Sequence, residues 1–281
     1  SFVTRVEIDD AGGRASGVMY IRDGAERFQR ASAVAVCGYA IETPRLLLNS
    51  VCRRHPNGLG NAADLVGRYV MVQGAPQVAG RFPDLLRMYK APPPEITSEQ
   101  FYETDPRRGF ARGFSIQTIS PLPIGWAEHV LAEGHWGQSL REYMRDYNHW
   151  SVLGVLAEFL PLPENRVTLA DEKDAFGVPI ANFSYSQCDN DKAIVAYAKN
   201  VLEQIWDAAD AMDMLTIDRY AHLVGGARMG SSPDESVVDS SHRVWGIDNL
   251  FVVDGSVMPT QGSANPALTI MALADRCARL M

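Results

Sequence analysis

The sequence predicts a mixed α/β (α+β) fold in which an outer domain is interrupted by an inserted antiparallel-sheet domain. Near both ends of the chain, strand-like segments run into glycine and then into a helix, as they do in doubly wound sheets. The middle of the chain carries segments of alternating polarity, typical of an antiparallel sheet with one covered face. The 281 residues, 46% of them hydrophobic, are enough for a large core. We expect the outer domain at 1–70 and 216–281, and the inserted domain at 71–215.

The first 70 residues contain the first part of the outer domain. Runs rich in β-branched residues, separated by turn signals, predict a meander of three strands at 2–8, 17–22 and 30–36. The chain then leaves a buried strand through Gly38 and enters a helix, with Thr43 as its cap and Pro44 in its first turn. Such a junction presents free N–H groups, so it predicts an anion site.

The inserted domain is predicted to be a sheet followed by a long helix. Its strand-like segments are 70–82, 109–119, 151–160, 165–170 and 179–186. The proline-rich segment 91–100 predicts a loop. Apolar residues at helical spacing predict a helix over 189–213, capped by Asp189 or Asn190, with its Met and Trp side chains in the core.

The last segment returns to the outer domain and opens a helix beside polar residues. A buried strand within 248–259 ends at Asp254 and Gly255, where open α/β sheets bind ligands, although a lone Asp there is more often a turn residue. The following helix starts at Asn265 and Pro266. Its first amides have no partner within the helix, and this end therefore attracts negative charge. They belong to Ala267, Leu268 and Thr269. Asn265 either caps the helix or turns its amide outward to a ligand, and the sequence leaves both alternatives open.

His222 is the histidine with the most suggestive surroundings, because it precedes a glycine-rich bend that lets backbone approach a ligand closely. A lone histidine is more often structural. A neutral imidazole beside an amide such as Asn265 nevertheless suits removal of a hydroxyl proton. The carbon can then release hydride, and since no side chain accepts hydride, a flavin or nicotinamide is required.

Composition excludes other classes of function. A net charge of −8 with interspersed acids and bases argues against a nucleic-acid surface. The four cysteines are scattered without metal-ligand spacing, so no metal site is predicted. No apolar run reaches the roughly 20 residues of a membrane-spanning helix. We expect a soluble or at most peripheral protein, of the cytoplasm or periplasm.

Three segments, "GYAIETPRLLLNS" (38–50), "NAADLVGRYV" (61–70) and 222–276, resemble the glucose–methanol–choline (GMC) family of FAD-dependent oxidoreductases and follow the family's order. Segment 160–180 is similar to the branch containing sugar dehydrogenases, gluconate dehydrogenase and pyranose oxidase-like enzymes. The resemblance implies a discontinuous FAD-binding domain, a substrate domain with a large antiparallel sheet, and a sugar or related alcohol as the small-molecule substrate. It also implies that His222 is the catalytic base and that Asn265 is its partner.

The same resemblance implies the residues that bind FAD. It places the strand end at Asp254 and Gly255, and the helix start at Asn265 and Pro266, against the flavin. The amides of Ala267 and Thr269 belong to this helix start. Val3, Cys37 and Gly38 are implied near the adenosine half of FAD.

The sequence departs from the family in three places. No G-x-G-x-x-G turn is present, Tyr39 stands where a small residue is usual, and Gln73 stands where an Asp-His pair is common. We therefore expect the C-terminal portion of a longer enzyme, truncated or one piece of a split chain. An N-terminal FAD-binding segment or chain would be its partner, and alone it would bind FAD poorly. The alternative is a non-catalytic partner subunit or decayed flavoprotein module that binds protein or glycan. A nicotinamide enzyme is a weaker third option.

Overall fold

The computed structural model describes residues 1–90 and 96–281. Its mixture of helices and several sheets confirms the predicted fold class. The strands are β1 (Phe2–Ile8), β2 (Ala15–Arg22), β3 (Ala25–Arg30), β4 (Val34–Val36), β5 (Met71–Gly74), β6 (Gln77–Arg81), β7 (Thr97–Ser98), β8 (Phe114–Ile119), β9 (Trp150–Ala157), β10 (Arg166–Lys173), β11 (Pro179–Ser184), β12 (Asp213–Ile217), β13 (Tyr220–Val224) and β14 (Leu250–Val252). The helices are α1 (Tyr39–Asn49), α2 (Pro123–Ala132), α3 (Gln138–Arg145), α4 (Asp189–Ala208) and α5 (Ala267–Leu280). In the part of the chain described, no helix is long and apolar enough to cross a bilayer.

The predicted meander is present, but its third strand was wrong. β1, β2 and β3 form an antiparallel sheet, in which β3 pairs with β2 and ends at Arg30. The residues of β3 are all exposed. The apolar residues that follow form β4, which instead pairs in parallel with β14. Val34 and Val36 are buried there, and their burial explains why this segment leaves the exposed meander.

The middle of the chain forms a seven-stranded sheet from β5 to β9 together with β12 and β13. Helix α4 packs on one face of it through residues such as Leu202 and Trp206. Helices α2 and α3 pack on part of the other face, where Trp126 lies against Trp150. The expectation of one covered face was therefore wrong. β10 and β11, predicted in this sheet, form a separate two-stranded hairpin.

Both predicted helix caps were wrong, because each helix begins earlier than the predicted cap requires. Helix α1 begins at Tyr39 after Gly38, and Thr43 lies inside it, where its Oγ1 accepts the Gly38 N–H at 2.9 Å. Helix α4 follows Cys188, whose N–H donates to Asp191 Oδ2 at 3.4 Å.

The predicted loop at 91–100 lies partly outside the described residues, at 91–95, and its remainder includes β7. The sequence patterns did not predict α2, α3, β12 or β13.

A glycine bend after β13 lets three backbone segments meet. Gly225 has φ +82°, and a Cβ there would lie 2.2 Å from the carbonyl oxygen of Tyr69. Its N–H donates to the Gly255 carbonyl at 3.0 Å, while the Gly226 carbonyl accepts the N–H of Gly67 at 2.7 Å. This contact fixes the end of β13 against the strand end that precedes α5.

We expect Gly225→Ala to lower the free energy of unfolding by at least about 2 kcal/mol, because alanine is strained at this φ and its methyl group overlaps the Tyr69 carbonyl. Urea denaturation of the full chain measures the change. Gly13→Ala is the matched control, since a Cβ at Gly13 meets no atom within 4 Å. That variant should change stability by less than about 1 kcal/mol. Equal effects of the two substitutions would contradict the close approach.

Candidate active site

His222 lies in β13 beside β5, and its ring is oriented by Gln73. The imidazole Nδ1 is 2.6 Å from Gln73 Oε1. The amide nitrogen of Gln73, Nε2, donates to the carbonyls of Gly262 at 2.7 Å and Ala264 at 3.0 Å. Because carbonyl oxygens only accept, the amide nitrogen must face them and Oε1 must face His222.

The orientation of Gln73 determines which nitrogen of His222 carries the proton. Gln73 Oε1 accepts a hydrogen bond, so the neutral imidazole carries its proton on Nδ1 and its lone pair on Nε2. Burial lowers the pKa of His222, and the ring therefore stays neutral to a lower pH than an ordinary histidine does. The arrangement produces a neutral base with Nε2 available.

Asn265 places its amide at that nitrogen. Its Nδ2 lies 3.3 Å from His222 Nε2, and no side chain caps helix α5. Asn265 therefore does not cap the helix through its side chain, and its amide faces His222. A hydroxyl oxygen between the two side chains can donate its proton to Nε2 and accept a hydrogen bond from Nδ2. Both residues line a pocket of about 280 Å³.

The start of helix α5 lies directly beside this pair. Ile270 is the first residue whose N–H bonds back to the preceding turn, with the Pro266 carbonyl at 2.9 Å. The side chains of Ala267, Leu268 and Thr269 are exposed, and the amides of a first helical turn point outward along the axis. This end of the helix offers N–H donors to a ligand.

Asp254 braces the junction between β14 and helix α1. Its Oδ2 accepts the Tyr39 N–H at 3.0 Å and the Thr43 hydroxyl at 2.5 Å, while Oδ1 accepts the Ser256 N–H at 2.8 Å. These contacts leave acceptor capacity on Oδ1.

The other predicted cofactor residues are distributed over two places. Cys37 is exposed and Gly38 half-buried at the start of helix α1, near Asp254. Gly255 is buried, and a Cβ on it would lie 2.9 Å from Ile270 of helix α5. Val3 is 40% exposed in β1, opposite Tyr20. Their contact with FAD stays a prediction.

Sequence reasoning did not find the role of Gln73, which it treated only as a departure from the family pattern. The available signal was its position in the apolar strand β5, where a glutamine is fully buried and must find partners. The partners themselves come from distant loops. In the described residues no group of three His, Cys, Asp or Glu side chains is arranged to hold a metal ion.

This chain is similar in sequence to known proteins. A family profile described as GMC oxidoreductase matches residues 161–274. The 2-methyl-1,2-propanediol dehydrogenase of Mycolicibacterium austroafricanum is 36% identical over 97% of this chain and 52% of its own length. The fructose dehydrogenase large subunit of Gluconobacter japonicus is 28% identical over 88% of this chain and 46% of its own. The chain thus spans about half the length of these relatives.

A solved structure shares the fold. Formate oxidase of Aspergillus oryzae RIB40, studied for FAD modification, superposes with a TM-score of 0.70 at 17% identity. The superposition covers 99% of this chain and 59% of the formate oxidase chain.

We expect Gln73→Glu to raise the pKa of His222, because a carboxylate facing Nδ1 stabilises the imidazolium. Heteronuclear NMR of the imidazole measures both the pKa and the tautomer, and in the unmodified chain it should report the proton on Nδ1. Gln29→Glu, on the exposed strand β3, is the control and should leave the His222 pKa unchanged. A proton on Nε2 at neutral pH would contradict the geometry.

Proposed function

The chain belongs to the GMC oxidoreductase family, and on that premise we propose that it is the C-terminal portion of an FAD-dependent enzyme that oxidises the CH–OH group of a sugar or related alcohol. The observation that carries the proposal is the pairing of His222 Nε2 with Asn265 Nδ2, 3.3 Å apart in a pocket. The relatives named above act on a diol and on fructose, according to their names.

In this proposal His222 removes the hydroxyl proton of the substrate. The proton moves to Nε2, the only unprotonated nitrogen of the neutral ring, and Asn265 donates a hydrogen bond to the same oxygen. Gln73 Oε1 continues to accept the Nδ1–H, and so stabilises the imidazolium that forms. Bound FAD supplies the two-electron acceptor for the hydride that leaves the substrate carbon.

The donors and acceptors at the start of helix α5 fit the flavin part of FAD. A flavin carries carbonyl oxygens that accept N–H donors, and the partial positive charge of a helix start favours the negative charge of its reduced form. The amides from Ala267 to Thr269 supply those donors beside His222. Asp254 Oδ1 retains capacity for a ligand hydroxyl. The pyrophosphate requires another segment, because the chain has no G-x-G-x-x-G turn.

We propose that this other segment is an N-terminal dinucleotide-binding segment or chain. Two surfaces support it. β4 bonds to β14 through Val34 and Val36, so the intervening Ala35 presents its backbone groups at the opposite edge, which no strand covers within the described residues. On helix α5, Leu268 and Met271 are 75% and 61% exposed. An added parallel strand and its helix would cover both features.

The catalytic role is tested with His222→Ala. In the chain combined with its N-terminal segment, we expect flavin reduction by substrate to slow by at least about a hundredfold, the scale of lost general-base catalysis. Stopped-flow absorbance of the flavin measures the rate. His55→Ala is the control, because the half-buried imidazole of His55 contacts the Gly12 carbonyl and does not line the pocket of His222. Near-normal reduction in His222→Ala would refute the assigned base and favour a non-catalytic module.

The partner surface is tested with Met271→Lys. We expect this variant to fold alone like the parent, since its side chain faces water, but to lose at least about tenfold in affinity for the N-terminal segment, because assembly would bury the charge. Co-purification and bound flavin absorbance measure assembly. Gln204→Lys adds the same charge on an exposed position of helix α4 and should assemble normally. Full assembly of Met271→Lys would exclude helix α5 from the contact.

A further inference from the structure

In the pocket wall, three neighbouring strands place one glutamine on each side of a glycine. Gln77 of β6 lies opposite Gly154 of β9, and Gly154 lies opposite Gln117 of β8. Residues directly opposite each other on paired strands project on the same face of a sheet. Gln77, Gly154 and Gln117 therefore form one row, which we call the glutamine row. All three line the pocket that contains His222 and Asn265.

The two carboxamides of the glutamine row are buried without protein partners. Gln77 is 5% and Gln117 is 7% exposed. Gln77 Oε1 has no hydrogen-bond partner, and within the described part of the chain neither side chain bonds to another protein group. Buried polar atoms are nearly always hydrogen-bonded, so the unpartnered Gln77 Oε1 in the wall of this pocket points to a ligand.

Gly154 leaves room for the side chain of Ile119 between the two glutamines. A Cβ at this position would lie 2.9 Å from Ile119 Cγ1 and 3.1 Å from Gln77 Cγ. Two strand spacings separate the glutamine backbones by roughly 9–10 Å. The row thus has an amide at each side, and the Ile119 side chain lies against the Gly154 backbone between them.

We propose that the glutamine row recognises a neutral polyhydroxylated substrate of monosaccharide size, holding hydroxyls on Gln77 and Gln117 while one carbinol reacts at His222. This inference rests on the proposed function. A carboxamide both donates and accepts, which matches a hydroxyl group. A simple apolar alcohol would leave both amides unpaired, and sites built to bond hydroxyls discriminate strongly against such analogues. The volume of about 280 Å³ lies near the small end of ligand pockets.

Arg219 provides the competing explanation, because it also lines the pocket. Its guanidinium lies 3.1 Å from His129 Nε2. If charge selected the ligand, an anion would bind through Arg219 and the glutamine row would be incidental. The test therefore compares three six-membered-ring ligands: myo-inositol, cyclohexanol and cyclohexanecarboxylate.

Binding to the full chain is measured by calorimetry and ligand-observed NMR. We expect myo-inositol to bind at least about tenfold more tightly than cyclohexanol. Gln77→Met and Gln117→Met should each lower the affinity for myo-inositol by about tenfold and leave the affinity for cyclohexanol unchanged. Gln204→Met, on exposed helix α4, is the matched control and should bind like the parent. Urea denaturation of each variant verifies folding.

Gly154→Ala supplies a second test that keeps both amides. We expect Gly154→Ala to lower the affinity for myo-inositol, because the added methyl group displaces the Gln77 side chain. Gly13→Ala should leave this affinity unchanged. Cyclohexanol binding as tight as myo-inositol, no detectable myo-inositol binding, or preferred cyclohexanecarboxylate binding that Arg219→Gln removes would each overturn the proposal. The two proposals fail separately. Near-normal flavin reduction by His222→Ala in the assembled enzyme would refute the base, whereas parent-like myo-inositol binding by Gln77→Met and Gln117→Met would refute the glutamine row.

Discussion

The hydrogen bonds of the Gln73 carboxamide join two segments that are distant in sequence, β13 with His222 and the loop that precedes helix α5. The amide nitrogen holds the carbonyls of Gly262 and Ala264, and the oxygen holds Nδ1 of His222. One buried side chain thus positions Asn265 near the imidazole and also determines the imidazole tautomer. If the Gln73 carboxamide were flipped, its oxygen would face the carbonyls of Gly262 and Ala264, and these acceptors would lose their hydrogen-bond donor.

Close backbone contacts support the same geometry from below. Gly255 has no side chain of its own and packs against the side chains of Ile270 and Val224, so β13, the end of β14 and helix α5 meet at this glycine. Asp254 then ties this point to helix α1 through Tyr39 and Thr43. These contacts leave the first turn of helix α5 open beside His222 and Asn265. A ligand there meets backbone amides of the helix as well as the side chains that line the pocket.

The sequence predicted features that depend on neighbouring residues better than features that depend on register. Local signatures marked the start of helix α5, the strand end at Asp254 and the glycine bend after His222. The family resemblance predicted that His222 and Asn265 act together. The departure of β4 from the meander was not predictable in the same way, because its partner β14 lies near the other end of the chain. The glutamine row was equally hidden, since three separate segments form it only after β6, β8 and β9 pair. Gln73 shows the limit most clearly, because its burial was readable from β5 while its three partners were not.

The parallel pairing of β4 with β14 also constrains the order of assembly during translation. Val34 is synthesised long before Leu250, the residue of β14 with which it pairs. Contacts between such distant residues form slowly, since the intervening chain must first be ordered or looped out. The seven-stranded sheet and helix α4 are complete in the nascent chain well before β14 is made. Until β14 is made, the backbone groups of β4 that face it lack that partner, and unpaired strands of this kind favour association between nascent chains.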